Sequence, residues 1–223
     1  ALDLAYVDFV LKLHRSTKRD YVQRVVDFDK AECATVAKQY GADYWDGPRQ
    51  YGYGGYSYDG RWLPIAQEMA KHYSIKPGDR ILDVGCGKGY LLYEFTNAVP
   101  GVEIAGIDIS EYAIENAKEE VKPFLQVGNA ISLPYEDNYF DFVVSLGTLH
   151  NLTNYELRSA LQELERVGKD KKHFMVESYR NESEMANLLY WQLTCKTFHN
   201  PQEWEWAMEQ AGYKGDYSYI VFE

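Results

Sequence analysis

Residues 81–95 read Ile-Leu-Asp-Val-Gly-Cys-Gly-Lys-Gly-Tyr-Leu-Leu-Tyr-Glu-Phe, and this stretch decides the fold. Arg80–Val84 is a short apolar run of the kind that forms a buried strand, and Gly89–Asn97 has the apolar spacing of a helix. Between them, Gly85, Gly87 and Gly89 let the backbone turn sharply and approach a ligand closely. The spacing is G-x-G-x-G. Tyr90 stands where the dinucleotide fingerprint needs its last glycine, so a nicotinamide or flavin dinucleotide is disfavoured.

Working outward, strands and helices alternate. Val102–Ile107, Pro123–Val127, Phe140–Leu146, His173–Ser178 and Tyr217–Phe222 read as further strands. Ser110 caps a helix bearing Ala113, Ile114 and Ala117. Thr153 and Glu156 form a capping box for a helix with Leu157, Ala160, Leu161 and Leu164 facing inward. Further helices run over 182–196 and from Asn200 to the stop at Gly212. This alternation predicts an α/β fold, a Rossmann-like and mostly parallel sheet with helices on both faces. Upstream, a helix with Pro64 in its first turn buries Ile65, Ala66, Met69 and Ala70. Residues 1–41 read as two or three helices, the first with Leu2, Tyr6, Phe9 and Leu13 at helical spacing. Residues 42–61 are rich in Gly and Tyr and read as a loop. The division is a helical cap and lid loop over 1–61 and a core over 62–223, together one structural domain.

Ligands on such sheets bind at the carboxyl ends of the strands. Asp83 ends the first strand, where a carboxylate suits a cationic amino group and repels a pyrophosphate. Asp108 ends the second, 19 residues after Gly89, placed to accept hydrogen bonds from two ribose hydroxyls. Asn129 follows the third and offers an amide to an adenine edge. Amine, ribose and adenine without phosphate describe S-adenosylmethionine.

The segments KPGDRILDVGCGKG, GIDISEYAIENAKE and GNAISLPYEDNYFDFVVSLGTLHNL resemble the successive motifs of class I S-adenosylmethionine-dependent methyltransferases, in particular the small-molecule branch with the ubiquinone and menaquinone enzymes. The likeness covers about residues 62–178. It implies a seven-stranded sheet and assigns Asp83, Gly85, Cys86, Gly87 and Gly89 to the first motif. Asp108 with Ile109 matches the ribose contact, Asn129 with Ala130 the adenine contact, and Ser145, Leu146 and Gly147 the edge beside the methionine part. Two departures stand out. Arg166–Lys172 replaces the family's R-V-L-K-P-G-G turn, and only one strand is recognisable after residue 200 where the family has two.

Net charge is −11, which argues against a nucleic-acid partner. Three scattered cysteines suggest neither a disulfide framework nor a zinc site and point to a reduced, cytoplasmic setting. No apolar run suggests a membrane span. Cys86 reads as a small loop residue and not a nucleophile. His150, just past the fourth strand, and His199, after the helix that follows the fifth, are the candidates for a general base. His14, His72 and His173 read as packing or surface residues. The chain holds 20 Tyr and 5 Trp. Tyr51, Tyr53 and Tyr56 form a candidate lid, with Arg61, Tyr179 and Trp191 as further acceptor contacts. Arg49, Arg61 and Arg180 are candidate clamps for an anionic group. These features predict an enzyme that methylates O or N of a small polar molecule, in sugar or specialised-metabolite biosynthesis, with no metal. The alternatives are a protein or peptide methyltransferase and a non-catalytic S-adenosylmethionine-binding protein.

Overall fold

The structure, a computed structural model, describes residues 5–223. Leu2 of the first apolar stripe lies outside the described residues. That stripe does not form one long helix. Val7 N–H donates to the Tyr217 carbonyl at 3.0 Å, Tyr217 N–H donates to Ala5 O at 3.2 Å, and Tyr6 makes an isolated parallel bridge to Tyr217. The backbone groups of a sheet edge thus draw residues 5–7 out of helix. Helix α1 spans only Leu11–Arg15. The cap continues with α2 (Tyr21–Asp27) and α3 (Lys30–Ala37), begun by Asp20 and Asp29, whose side chains accept from backbone N–H groups. The segment expected as a loop, 42–61, holds a turn of helix, α4 (Ala42–Trp45), and a 3-10 turn at Arg49–Tyr51.

The core opens with α5 (Leu63–His72), and β1 (Arg80–Val84) follows. Then come α6 (Tyr90–Ala98), β2 (Glu103–Asp108), α7 (Glu111–Glu115), β3 (Leu125–Val127) and β4 (Phe140–Leu146). The capping box at Thr153 and Glu156 starts α8 (Asn154–Val167), which passes directly into β5 (Gly168–Glu177). Gly168 makes that junction without the family's P-G-G turn: a Cβ there would lie 2.9 Å from side-chain atoms of Lys172 and Val143. The chain ends with α9 (Glu182–Trp191), α10 (Pro201–Ala211) and β6 (Asp216–Ile220). Helix α9 stops five residues short of the expected 196, and residues 192–200 run irregularly toward α10.

Strand order is β3-β2-β1-β4-β5-β6, and every pair is parallel. Among the described residues the sheet has six strands, where the resemblance implies seven. Residues 5–7 lie against its β6 edge. Successive side chains of a strand face opposite ways. Leu82, Val84, Val143 and Phe174 therefore pack under α8 and α10 with Leu161, Leu164 and Trp204. Ile81, Phe142 and Val144 pack with Met69, Leu92 and Phe95 of α5 and α6. Both faces are covered, and the carboxyl ends of the strands are open to a small ligand. The strand order reverses between β1 and β4 there, which is where such folds bind ligands.

Candidate functional site

Two cavities lie side by side at these strand ends. The smaller, about 210 Å³, is lined by Asp108, Ile109, Gly128, Asn129 and Ala130. Asp108 is held in place by backbone N–H groups: Gly87 donates to Oδ2 at 2.8 Å and Ser110 to Oδ1 at 2.9 Å. Burial raises its pKa, and these two donors offset part of the rise. Asn129 Oδ1 accepts from Ile131 N–H at 3.1 Å, so its NH₂ group is the part available to a ligand.

The larger cavity, about 430 Å³, includes Asp83, Gly85, Cys86 and Gly87 in its wall, and it shares Tyr44, Tyr53, Gly85, Leu146 and Gly147 with the smaller one. Asp83 is 3 % exposed, and its Oδ1 is buried with no hydrogen-bond partner among the described residues. Burial, reinforced by the charge of Asp108, pushes its pKa up to about 8. A buried carboxylate without a partner is costly, and a cationic ligand beside it removes that cost. Gly85 adopts φ +84°, and a Cβ there would collide with Thr148 Oγ1. A side chain at that position would block the floor between the two cavities.

The cap closes over this floor. Trp45 is buried and donates its indole N–H to Ser110 Oγ at 2.9 Å. A Cβ on Gly87 would lie 3.1 Å from the Trp45 ring, so the loop admits the indole because it is glycine. Tyr53 stacks on Trp45 at 5.2 Å and meets Tyr56 at 4.6 Å, and Tyr56 stacks on Tyr90 at 5.1 Å. Lys88, from the glycine loop itself, is 5 % exposed. It donates to Asp46 Oδ1 and Oδ2 at 2.8 and 2.7 Å and to the Tyr56 carbonyl at 2.6 Å. Tyr112 adds a bond to Asp46 Oδ2 at 2.6 Å. The aromatic segment is thus fastened to the loop it covers.

On the cavity's far side, His150 and Glu177 are both buried. Glu177 N–H donates to His150 Nδ1 at 3.3 Å, so Nε2 bears the ring hydrogen, and it faces Glu177 Oε2 at 3.6 Å. Gln192 donates to the same carboxyl oxygen. Burial lowers the His150 pKa to about 3 and raises that of Glu177 to about 8. Neither ring nitrogen offers a free lone pair at neutral pH, so the geometry does not suit His150 as a base. Glu177 has a pKa near the operating range and is the better proton acceptor.

The remaining sequence candidates divide. Tyr53, Tyr56, Arg61 and Trp191 line the larger cavity. Arg61 is occupied there by a fork of bonds to Asp59 at 2.6–3.0 Å. Ser145 lines neither cavity: it is fully buried and ties β4 to β1 through Val84 O at 2.7 Å. Gly89 also faces neither, and a Cβ there would lie 2.6 Å from Val121. Tyr51 packs beside α3, and Tyr179 lies outside both walls. His199 is turned away, against Trp204 at 5.2 Å and Glu203 at 3.7 Å. Arg180 pairs with Glu184 and Glu223. Cys86 lines the cavity, but burial raises its thiol pKa well above the ordinary value, opposing any role as a nucleophile. Sequence reasoning missed Trp45, Lys88, Glu177, Arg19 and Arg24. Glu177 carried a readable signal: like Asp83 and Asp108, it is an acid closing an apolar strand.

A family model described as a methyltransferase domain matches residues 75–221. The chain belongs to that family, as a class I S-adenosylmethionine-dependent methyltransferase. A second model, described as protein-L-isoaspartate(D-aspartate) O-methyltransferase, matches residues 10–132. The demethylmenaquinone methyltransferase of Symbiobacterium thermophilum is 35 % identical over 124 residues, 52 % of this chain and 49 % of the relative. That of Bacillus cytotoxicus is 37 % identical over 110 residues, 46 % of each chain. The chain spans about half the length of these curated relatives. Among solved structures, the YcgJ protein of Bacillus subtilis superimposes with a TM-score of 0.54 at 24 % identity, covering 66 % of each chain. A geranyl diphosphate methyltransferase gives 0.55 at 16 % identity, covering 67 % of this chain and 64 % of the other. Both structures share the fold.

The cofactor of this methyltransferase is S-adenosylmethionine, and the strand ends fit it. The unpartnered Asp83 carboxylate suits the amino group, Asp108 the ribose and the Asn129 amide the adenine. The glycine loop leaves room for the chain between them. Among the described residues, no group of three or more His, Cys, Asp or Glu is placed to hold a metal, and no helix is long and apolar enough to cross a membrane.

Proposed function

We propose that this methyltransferase transfers the methyl group of S-adenosylmethionine to a small, polar acceptor held in the larger cavity beneath the aromatic cap, at an oxygen or nitrogen atom. The observation that carries the reading is the shared wall of the two cavities. A cofactor held by Asp108 and Asn129 in the smaller cavity and by Asp83 and Gly85 at the floor of the larger one would present its methyl group to a space of small-molecule size. The curated relatives, named for methylation of a small molecule, support the same scale of acceptor. The polar wall of Glu177, His150, Gln192, Asn151 and Thr194 favours a polar ligand over a neutral lipid-like one.

The sulfonium supplies an activated methyl group, so the protein's task is alignment and proton removal. Asp83 and Asp108 fix the cofactor. Trp45, Tyr53 and Tyr56 exclude water and close the acceptor space. Glu177, oriented by Gln192 and His150, takes the proton from an acceptor hydroxyl or ammonium. His150 serves as the positioning residue.

Incubation of the protein with methyl-labelled S-adenosylmethionine and a metabolite extract tests this reading. Label entering small polar molecules is expected. Label only in protein supports a protein acceptor, label only in a lipid fraction supports a quinone-type acceptor, and tight cofactor binding with no transfer supports a non-catalytic role.

A further inference from the structure

Nine arginines occur in this acidic chain, and five pair with carboxylates: Arg15, Arg61, Arg80, Arg166 and Arg180. Arg158 is solvent-exposed. The other three, Arg19, Arg24 and Arg49, line the larger cavity and converge on one ring. Their guanidinium carbons lie 5.4, 4.4 and 5.2 Å from the centre of Trp191. They come from three separate places in the cap: the turn before α2, α2 itself and the 3-10 turn at 49–51.

None of the three has a carboxylate within ion-pair distance among the described residues. Arg19 donates to the carbonyls of His14 and Thr17 and to His14 Nδ1, each at 3.2 Å, and Arg49 donates to the carbonyl of Gly52. The Nε atoms of Arg19 and Arg24 are buried without a hydrogen-bond partner among the described residues. Burial lowers the pKa of all three, and that of Arg24, pressed further by the charge of Arg49, falls to about 10. The carboxyl that shares this cavity, Glu177, is itself favoured as the neutral acid by burial. Three gathered cations with unused donors, facing a cavity, are a poor arrangement for a protein alone and a good one for a ligand that brings negative charge.

We infer that the acceptor carries an oxyanion, a carboxylate or phosphate, which Arg19, Arg24 and Arg49 grip over the face of Trp191. This rests on the reading of the larger cavity as the acceptor site and narrows its substrate to anionic small molecules. The flat indole fixes the guanidinium planes, and their forks offer paired N–H groups to oxygens. Glu177 lines the same cavity, near enough to Arg19 for each charge to act on the other, and would face the atom that accepts the methyl. The arrangement disfavours a neutral quinone and any acceptor whose charge is positive.

The test uses the full chain saturated with S-adenosylhomocysteine, titrated by calorimetry with inorganic phosphate, pyrophosphate and malonate at constant ionic strength. Arg24→Gln and Arg24→Lys are compared with wild type, and Arg158→Gln serves as control. Wild type is expected to bind at least one of the three anions. Arg24→Gln should bind it about tenfold or more weakly, Arg24→Lys should fall between because it keeps charge and loses the fork, and Arg158→Gln should match wild type. S-adenosylhomocysteine affinity should be unchanged in every variant, which also reports that each is folded. Preference for phosphate or pyrophosphate assigns a phosphorylated acceptor, and preference for malonate a carboxylated one. If S-adenosylhomocysteine binds but none of the anions does, or if Arg24→Gln and Arg158→Gln weaken anion binding equally, the proposal is overturned. If S-adenosylhomocysteine itself fails to bind wild type, the methyltransferase reading fails first.

Discussion

The two cavities share a wall and differ in how the chain builds them. The smaller has its floor at the ends of β2, β3 and β4, around Asp108, Asn129 and Gly147, and is roofed by Tyr40, Tyr44, Trp45 and Tyr53 of the cap. The larger draws on the cap, the glycine loop, the end of β5 and the chain after α9. The floor of the first is a by-product of the sheet: once β1, β2 and β4 are parallel and in register, their terminal residues must lie side by side. The second exists only when the cap is in place, held by Lys88, Asp46 and Ser110. On the proposed reading the sheet edge supplies the main polar contacts to the cofactor, and the cap, which roofs both cavities, shapes the acceptor space. Mutations on the two sides should therefore separate binding from turnover.

The sharpest break in that comparison is Glu177→Gln. It should lower turnover by about 10²-fold or more, the usual worth of a general base, and leave S-adenosylhomocysteine affinity intact. In wild type, turnover should rise with pH as Glu177 loses its proton near pH 8, and the variant should lose that rise. Equal profiles would remove Glu177 from proton transfer. On the other side, Asp108→Ala should weaken cofactor binding by about 1–3 kcal/mol through lost charge-assisted hydrogen bonds. Calorimetry with unchanged affinity would take Asp108 out of the site. Lys88→Met cuts the tie between the cap and the glycine loop. A melting-temperature loss of about 2–4 °C is expected, together with faster cofactor release in stopped-flow measurements. Tyr53→Ala should have the smallest effect, a fall in turnover of about threefold to tenfold with little change in stability, because Tyr53 faces the cavities and is 45 % exposed. Should Lys88→Met release cofactor at the wild-type rate, the cap would be no part of the closure.

Much of the sheet was legible in the sequence. β1, β4 and the α8 capping box fall at the expected residues because short apolar runs and side-chain caps are local signals. Asp83 and Asp108 were legible for the same reason: an acid at the end of an apolar run stands out. Glu177 obeys the same rule, but its cavity-facing position depends on Gln192 and His150, which are distant in the chain. His150 does reach the cavity, but the backbone N–H of Glu177 fills its Nδ1, a contact between residues 27 apart that no motif announces. The cap was the least legible part. Tyr6 has helical spacing to Phe9 and Leu13, yet the open edge of β6 pulls it into an extended bridge. Arg19 and Arg24 carry no local signal in the sequence, and only the fold brings Trp191 beneath them.

Asp83 stands where the two cavities meet, and its titration tests the central claim most directly. Its carboxyl holds a proton up to about pH 8 in the ligand-free fold, whereas a chain unfolded in water releases it near pH 4. The folded state thus binds the extra proton between those values, and the ligand-free protein loses stability as pH rises through that window. A cationic amino group reverses this by favouring the carboxylate. The decisive measurement is calorimetry with S-adenosylhomocysteine at pH 7 in buffers of different ionisation enthalpy, on wild type and Asp83→Asn, with melting temperatures of both free proteins. Wild type should bind and release a proton. Asp83→Asn should bind about tenfold or more weakly, lose the proton release, and melt about 2–4 °C higher without ligand, the equivalent of about 1 kcal/mol. Equal affinity and equal proton release in the two proteins, or no binding to wild type at millimolar ligand, would contradict the account.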